Sequence, residues 1–216
     1  MSIALLALKS FRNRKFTTGL AITSITLSVA LLLAVEILRN EAKTSFTNTI
    51  SGTDLIVGAR SSPVHLLLYS VFGIGSPTKN LEWSSYIEIS HYPQIEWSIP
   101  ISMGDTHKGF RVLGTDISYF EHYRYGRNRR LSMLEGAWNE HAEDAVLGAE
   151  AAASLGYRLG DKVIIAHGAG DKSFITHDDN PFQVAGVLER TGTPIDRTVI
   201  ISLAGFDDMH QAWITA

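Results

Sequence analysis

"RNRKFTTGLAITSITLSVALLLAVEIL", Arg12 to Leu38, sets a basic cluster (Lys9, Arg12, Arg14, Lys15) ahead of twenty uncharged residues, Phe16 to Val35. At about 1.5 Å of rise per helical residue, such a run covers the roughly 30 Å hydrocarbon core of a bilayer. Leu, Ile, Val and Ala dominate it, with hydroxyls at Thr17, Thr18, Thr23, Ser24, Thr26 and Ser28. Hydroxyls bond back to helix carbonyls, so lipid tolerates them, and they often face neighbouring helices. A signal peptide has a shorter apolar core, roughly 7–15 residues, followed by a small-x-small cleavage site. Here the run passes into "VEILRNEAKTSF" (35–46) without such a site. The stretch therefore reads as an uncleaved span. Its basic flank predicts a cytoplasmic N-terminus, with everything after about Thr44 on the outer side.

Ahead of the span, "MSIALLALKSF" (1–11) places Ile3, Leu6, Ala7 and Phe11 near one side at helical spacing. That suits a short amphipathic helix on the inner membrane surface, or a simple lead-in. The next most apolar runs, "VHLLLYSVFGIG" (64–75) and "DKVIIAHGAG" (161–170), are too short to cross a bilayer. The expected division is a lead-in plus span over 1–43 and a folded extracytoplasmic domain over 44–216.

Charge follows the same division. Residues 1–15 carry +4 and the remainder −7, within a chain of net charge −3. A mildly acidic body is a poor nucleic-acid binder, since phosphate neutralisation needs a dense basic face. No nucleic-acid partner is expected. The chain has no cysteine, which excludes disulfides, thiol catalysis and Cys-type zinc sites.

Strand patterns are read at 54–59, 94–104, 109–116, 144–149, 161–168, 181–189 and 197–203, and helical patterns at about 63–73, 82–91, 149–155 and 203–211. Their irregular interleaving predicts an α+β domain with a mixed sheet rather than a doubly wound parallel one. "GAGDKS" (168–173) lacks the G-K-[ST] ending of a phosphate loop, and neither G-x-S-x-G nor H-E-x-x-H occurs. No catalytic residue is assigned, and the chain is expected not to be an enzyme. Among the eight histidines, His107, His167 and His177, the last beside Asp178 and Asp179, are the candidate ligands for zinc or a related divalent ion. The same residues also read as turn formers bonding nearby amides. Trp83, Trp97, Trp138 and Trp213 read as core or interface anchors.

"AVLGAEAAASLGYRLGDKVII" (145–165) and "FQVAGVLERTGTPIDRTVIISLAGF" (182–206) carry a resemblance. Val146, Leu147, Gly148, Leu155, Gly156, Gly160 and Asp161 match one unit. Phe182, Val184, Gly186, Val187, Gly192, Thr193, Asp196, Ser202 and Leu203 match the next. In this order the chain resembles the MacB/FtsX-type permeases of ABC transporters, in particular their periplasmic core domain. "ALKSFRNRKFTTGLAITSITLSVALLL" (7–33) is similar to the lead-in and first transmembrane helix of such permeases. "DLIVGARSSPVHLLLYSVFGIGSPTKN" (54–80) is similar to the segment that follows.

The resemblance implies a permease subunit of the bacterial inner membrane, with residues 44–216 in the periplasm. It implies a separate cytoplasmic ABC ATPase holding ATP and Mg, a second permease copy or paralogue, and a periplasmic adaptor or substrate protein. No cofactor is expected on this chain itself beyond the candidate divalent metal. Members of the family handle macrolides, peptides or lipoproteins, or transmit a signal to a cell-wall hydrolase. They carry three further transmembrane helices after the domain, so this chain is expected to be a piece of a longer permease or a truncated member. Gly19, Thr23, Thr26 and Ala30 are expected to face a partner helix. Gly148, Gly156, Gly160 and Gly192 read as turn or close-approach positions, and Asp161 and Asp196 as turn caps. The alternative, from another class, is a membrane-anchored binding or adaptor module that senses metal through its histidines.

Overall fold

The computed structural model describes residues 14–75, 79–139, 141–167 and 181–211. The lead-in 1–11, His177, Asp178, Asp179 and Trp213 lie outside the described residues. The chain divides into two units, Met1–Phe46 and Thr47–Ala216.

Helix α1 runs Lys15–Thr49. Within it, Lys15–Glu41 is long and apolar enough to cross a membrane, with a mean hydropathy of 2.2 in its most apolar window and none of that window buried. A core helix of a soluble protein would bury that surface. Thr23 Oγ1 donates to the Gly19 carbonyl (2.9 Å) and Ser28 Oγ to the Ser24 carbonyl (2.9 Å), so these hydroxyls bring no unsatisfied polar group into the helix.

The second unit is an α+β fold around a mixed sheet of eight strands among the described residues. The strands are β1 (Ser102–His107), β2 (Phe110–Thr115), β5 (Met133–Gly136), β6 (Asp144–Leu147), β7 (Lys162–Val163), β8 (Ala166–His167), β9 (Phe182–Leu188) and β10 (Thr198–Ser202). Their order is β5-β9-β6-β10-β2-β1-β8, and β7 shares the outer edge of β9 with β5. β10 runs parallel to β2 and β6 parallel to β9, while the other pairs are antiparallel. A separate hairpin joins β3 (Arg124–Tyr125) to β4 (Arg129–Arg130). The β1–β2 turn uses Lys108 and Gly109, both at positive φ (46° and 83°), a geometry whose twist matches that of the flanking strands.

Period-two alternation assigns the core. Val199 and Ile201 of β10, with Val112, Ala145 and Leu147, face one cluster that contains Ala151 and Ala152 of α5 (Ala149–Leu155) and Phe206 and Met209 of α6 (Leu203–Gln211). Ile200, Leu113 and Val146 face the other, with Tyr119 of α4 (Ile117–His122), Tyr123, Tyr125 and Ile195. Both faces are covered, which is why these strands read as near-continuous apolar runs. Gly148, the residue before α5, closes against the turn Pro194–Arg197: a Cβ there would lie 2.1 Å from the Ile195 carbonyl oxygen. Only glycine permits that approach.

Three expected strands change. Residues 54–59 join no ladder; Leu55 and Val57 are exposed and Ile56 half-buried, so the alternation there marks one-sided burial rather than pairing. In 94–104 only the last residues enter β1, because Pro100 has no N–H to give a ladder. The run at 161–168 splits: Lys162–Val163 pairs with β9, and Ala166–His167 pairs with β1 on the far side of the sheet. The helical patterns at 63–73, 82–91, 149–155 and 203–211 all form helices.

Candidate functional site

α2 (Pro63–Phe72) begins with the signals its sequence carries. Ser62 Oγ accepts from the His65 N–H (3.1 Å), Pro63 opens the first turn, and the Gly73 N–H closes the helix on the Tyr69 carbonyl (3.0 Å). α3 (Trp83–Ser90) follows, with Trp83 stacked on Tyr86 at 4.8 Å. Neither helix has a fully buried residue. They stand over the sheet and leave an open concavity of about 1800 Å³ within the second unit.

The concavity is apolar with a few polar groups aimed into it. Leu55, Val57, Trp83 and Ile101 lie on its walls and are exposed. Tyr69 Oη donates to the Met103 carbonyl (2.7 Å), and Arg111 Nη2 to the Gly75 carbonyl (3.0 Å), so two side chains hold the α2 end against β1 and β2. Burial pushes the Tyr69 hydroxyl up to about 12, against the pull of Arg111 and with a further push from Asp105. Tyr69 therefore remains a donor at any physiological pH. A wide, apolar, part-open site with few fixed polar groups fits an apolar or peptidic ligand better than a reacting small molecule.

Of the metal candidates, the structure places two on neighbouring strands. His167 of β8 lies opposite Asp105 of β1, two residues before His107. His107 is 2% exposed, with Nδ1 bonded to the Ile164 carbonyl (2.6 Å) and Nε2 to Tyr157 Oη (3.0 Å). A carbonyl only accepts, so Nδ1 carries the proton and Nε2 accepts from the tyrosine hydroxyl. Both nitrogens are thus engaged in tying β1 to the chain between β7 and β8. Among the described residues no group of three His, Cys, Asp or Glu side chains could hold a metal ion.

Burial holds the His107 imidazole below its ordinary pKa, with Lys108 adding to the effect and the Ile164 bond opposing it. The sign follows from linkage. As pH falls below about 6.5 the unfolded chain takes up the proton first, so stability is lost until the lowered native value is reached. The thermal midpoint of the full chain in detergent is expected to fall between neutral and mildly acidic pH. One proton sets a limit of about 1.4 kcal/mol per pH unit on that slope. His107→Gln should flatten it; an equal slope in the variant would contradict this assignment.

The two expected turn caps are present. Asp161 Oδ2 accepts from the Arg158 N–H (2.8 Å). Asp196, 4% exposed, accepts from the N–H groups of Thr191 and Gly192 and from Thr191 Oγ1, each at 2.8 Å. In α1 the four expected packing residues, Gly19, Thr23, Thr26 and Ala30, recur at helical spacing on one exposed face.

A family model described as the MacB-like periplasmic core domain matches residues 18–215. No curated protein matches the chain.

Proposed function

The chain belongs to the family of the MacB-like periplasmic core domain, and from that membership we propose that it is the membrane subunit of an ABC transporter whose ATP is hydrolysed by a separate protein. The family is of the ABC-transporter permease type and generally non-catalytic. The observation that carries the proposal is the extent of the match, which takes in both the apolar helix and the folded unit. In the proposed arrangement Lys9, Arg12, Arg14 and Lys15 keep the N-terminus in the cytoplasm of a bacterial inner membrane, and the second unit lies in the periplasm.

A cytoplasmic ATPase dimer would bind a pair of permeases, and its closure would move them. The face carrying Gly19, Thr23, Thr26 and Ala30 is the one offered to a partner helix, because small residues let backbones approach closely. The second unit receives the chain at Thr49, whose carbonyl accepts from Tyr123 Oη, and the Ser51 N–H donates to the Arg124 carbonyl (3.0 Å). Movement of the entering chain would pass to β3 through these bonds. The open concavity is where a periplasmic adaptor or substrate protein would act, for export or for transmission of force.

The test is isolation of the tagged, full-length gene product from its own membranes in mild detergent. A protein bearing a Walker-type nucleotide site should be recovered in stoichiometric amount, and the complex should hydrolyse ATP. Recovery free of any such subunit and without ATPase activity would overturn the transporter assignment and leave the anchored binding module.

A further inference from the structure

The sequence "YRYGRNRR" (123–130) folds into the hairpin of β3 and β4, in which Arg124 pairs with Arg130 and Tyr125 with Arg129 across the ladder. Arg127, Arg129 and Arg130 are exposed and Arg124 is half-buried. The Arg129 guanidinium lies 4.6 Å from the centre of the Tyr125 ring, and Arg124 Nη1 donates to the Tyr123 carbonyl (2.9 Å). Elsewhere in the unit exposed cationic groups have carboxylate neighbours: Arg197 binds Glu150, and His122 lies near Glu121. None of the ion pairs among the described residues includes an arginine of the hairpin. Four positive charges are thus held within seven residues, in a body that is otherwise acidic. Like charges so placed repel one another, and an external anion relieves the repulsion.

The hairpin's position indicates which anion. Its base bonds to the first residues after α1, through Tyr123 Oη to the Thr49 carbonyl and through the Ser51 N–H to the Arg124 carbonyl. Its tip lies at Gly52, where an added Cβ would be 3.5 Å from Asn128 Oδ1. The apolar window of α1 ends at Glu41 and the helix at Thr49, eight residues later. Eight helical residues cover about 12 Å. That is close to the ~8–10 Å over which a charge is felt at physiological salt. Chain connectivity therefore keeps the arginines near the level of the headgroups. Arginine matches phosphate with a planar, two-pronged set of donors, and it stays charged at any pH the protein meets.

We propose that the 124–130 hairpin is a docking surface for anionic phospholipid headgroups of the membrane that α1 crosses. Arg127, Arg129 and Arg130 grip lipid phosphates, and the hairpin thereby fixes the second unit against the bilayer surface. Because this depends on α1 being a span, the experiment tests the span separately.

The chain contains no cysteine, so Ser132→Cys gives a single labelling point just after β4, at an exposed side chain. The labelled full chain is reconstituted into vesicles of phosphatidylcholine alone, or of phosphatidylcholine with phosphatidylglycerol. Quenching of its fluorophore by a nitroxide-headgroup lipid reports contact. Quenching should rise with phosphatidylglycerol and fall in high salt. Each arginine near an anionic surface contributes about a fivefold factor, so R127Q/R129Q/R130Q should lower the docked-to-undocked ratio about a hundredfold. The corresponding triple lysine variant should retain most of the contact, and an unchanged thermal midpoint in both variants shows that the fold survives.

Equal quenching in the two lipids, or no difference between the glutamine variant and the parent, overturns the proposal. Displacement by inorganic phosphate beyond that by chloride at equal ionic strength would assign the site to a free anion and also overturn it. Release of the chain by alkaline carbonate would show that α1 is no span, and the lipid surface falls with it. A chain retained by the membrane but indifferent to phosphatidylglycerol removes the hairpin proposal alone.

Discussion

Leu27→Arg combined with Leu31→Arg is expected to release the protein from the membrane. Both leucines lie near the middle of the apolar window and are exposed along α1. At the centre of a spanning helix, exchanging a leucine for arginine costs about 3 kcal/mol, so the pair amounts to about 6 kcal/mol, or roughly ten-thousandfold in partition. Extraction of membranes with alkaline carbonate reads this directly. The parent chain should remain in the pellet and the double variant should appear in the supernatant. On an exposed face of a soluble helix the same change would be nearly neutral. A variant that stays membrane-bound would therefore show that α1 does not cross the bilayer.

Asp196→Ala has the largest expected effect on the folded unit. The carboxylate is buried and satisfies two backbone N–H groups and one hydroxyl in the turn that sets Pro194–Arg197 against Gly148. Removal leaves the Thr191 and Gly192 donors without this acceptor inside a region that excludes water. An unmade buried hydrogen bond costs about 1–3 kcal/mol, so a loss of about 3–5 kcal/mol is expected. For a unit of this size that is a fall of roughly 10 °C in thermal midpoint. Asp196→Asn keeps one carbonyl acceptor but turns an amide N–H₂ toward a donor, and should lie between the two. Differential scanning fluorimetry of the full chain in detergent measures both. A midpoint within about 2 °C of the parent for the alanine variant would deny the carboxylate this role.

How much of this was legible in the sequence depended on whether the signal was local. The span declared itself through length and flanking charge. α2 was marked by Ser62, Pro63 and Gly73, each of which does in the structure what its residue type favours. β2, β6, β9 and β10 were visible as apolar runs because both faces of the sheet are buried. Gly148 and Asp196 were read as scaffold positions, and their contacts with each other's turns give the reason.

Pairing was not legible. Nothing local separates 54–59, which joins no ladder, from 110–115, which lies in the middle of the sheet. Nor could the sequence show that Lys162–Val163 and Ala166–His167 belong to opposite sides of the sheet, since that depends on partners distant in the chain. His107 stood out as a metal candidate, whereas its contacts are the Ile164 carbonyl and Tyr157 hydroxyl, fifty or more residues away. The concavity under α2 and α3 required the tertiary packing, because neither helix contributes a fully buried residue. The arginine hairpin was present in the sequence as "RYGRNRR" (124–130), but its meaning comes from the bonds that set it beside Thr49 and Ser51.

The proposed placement of the protein, α1 through the membrane with the second unit outside, is tested most directly by labelling single cysteines in intact cells whose outer barrier has been opened. Ser84→Cys lies at an exposed position of α3, and Ser10→Cys precedes the span. A membrane-impermeant maleimide should label Ser84→Cys at once and Ser10→Cys only after lysis. Labelling of Ser10→Cys from outside, or of both cysteines only after lysis, would contradict the account.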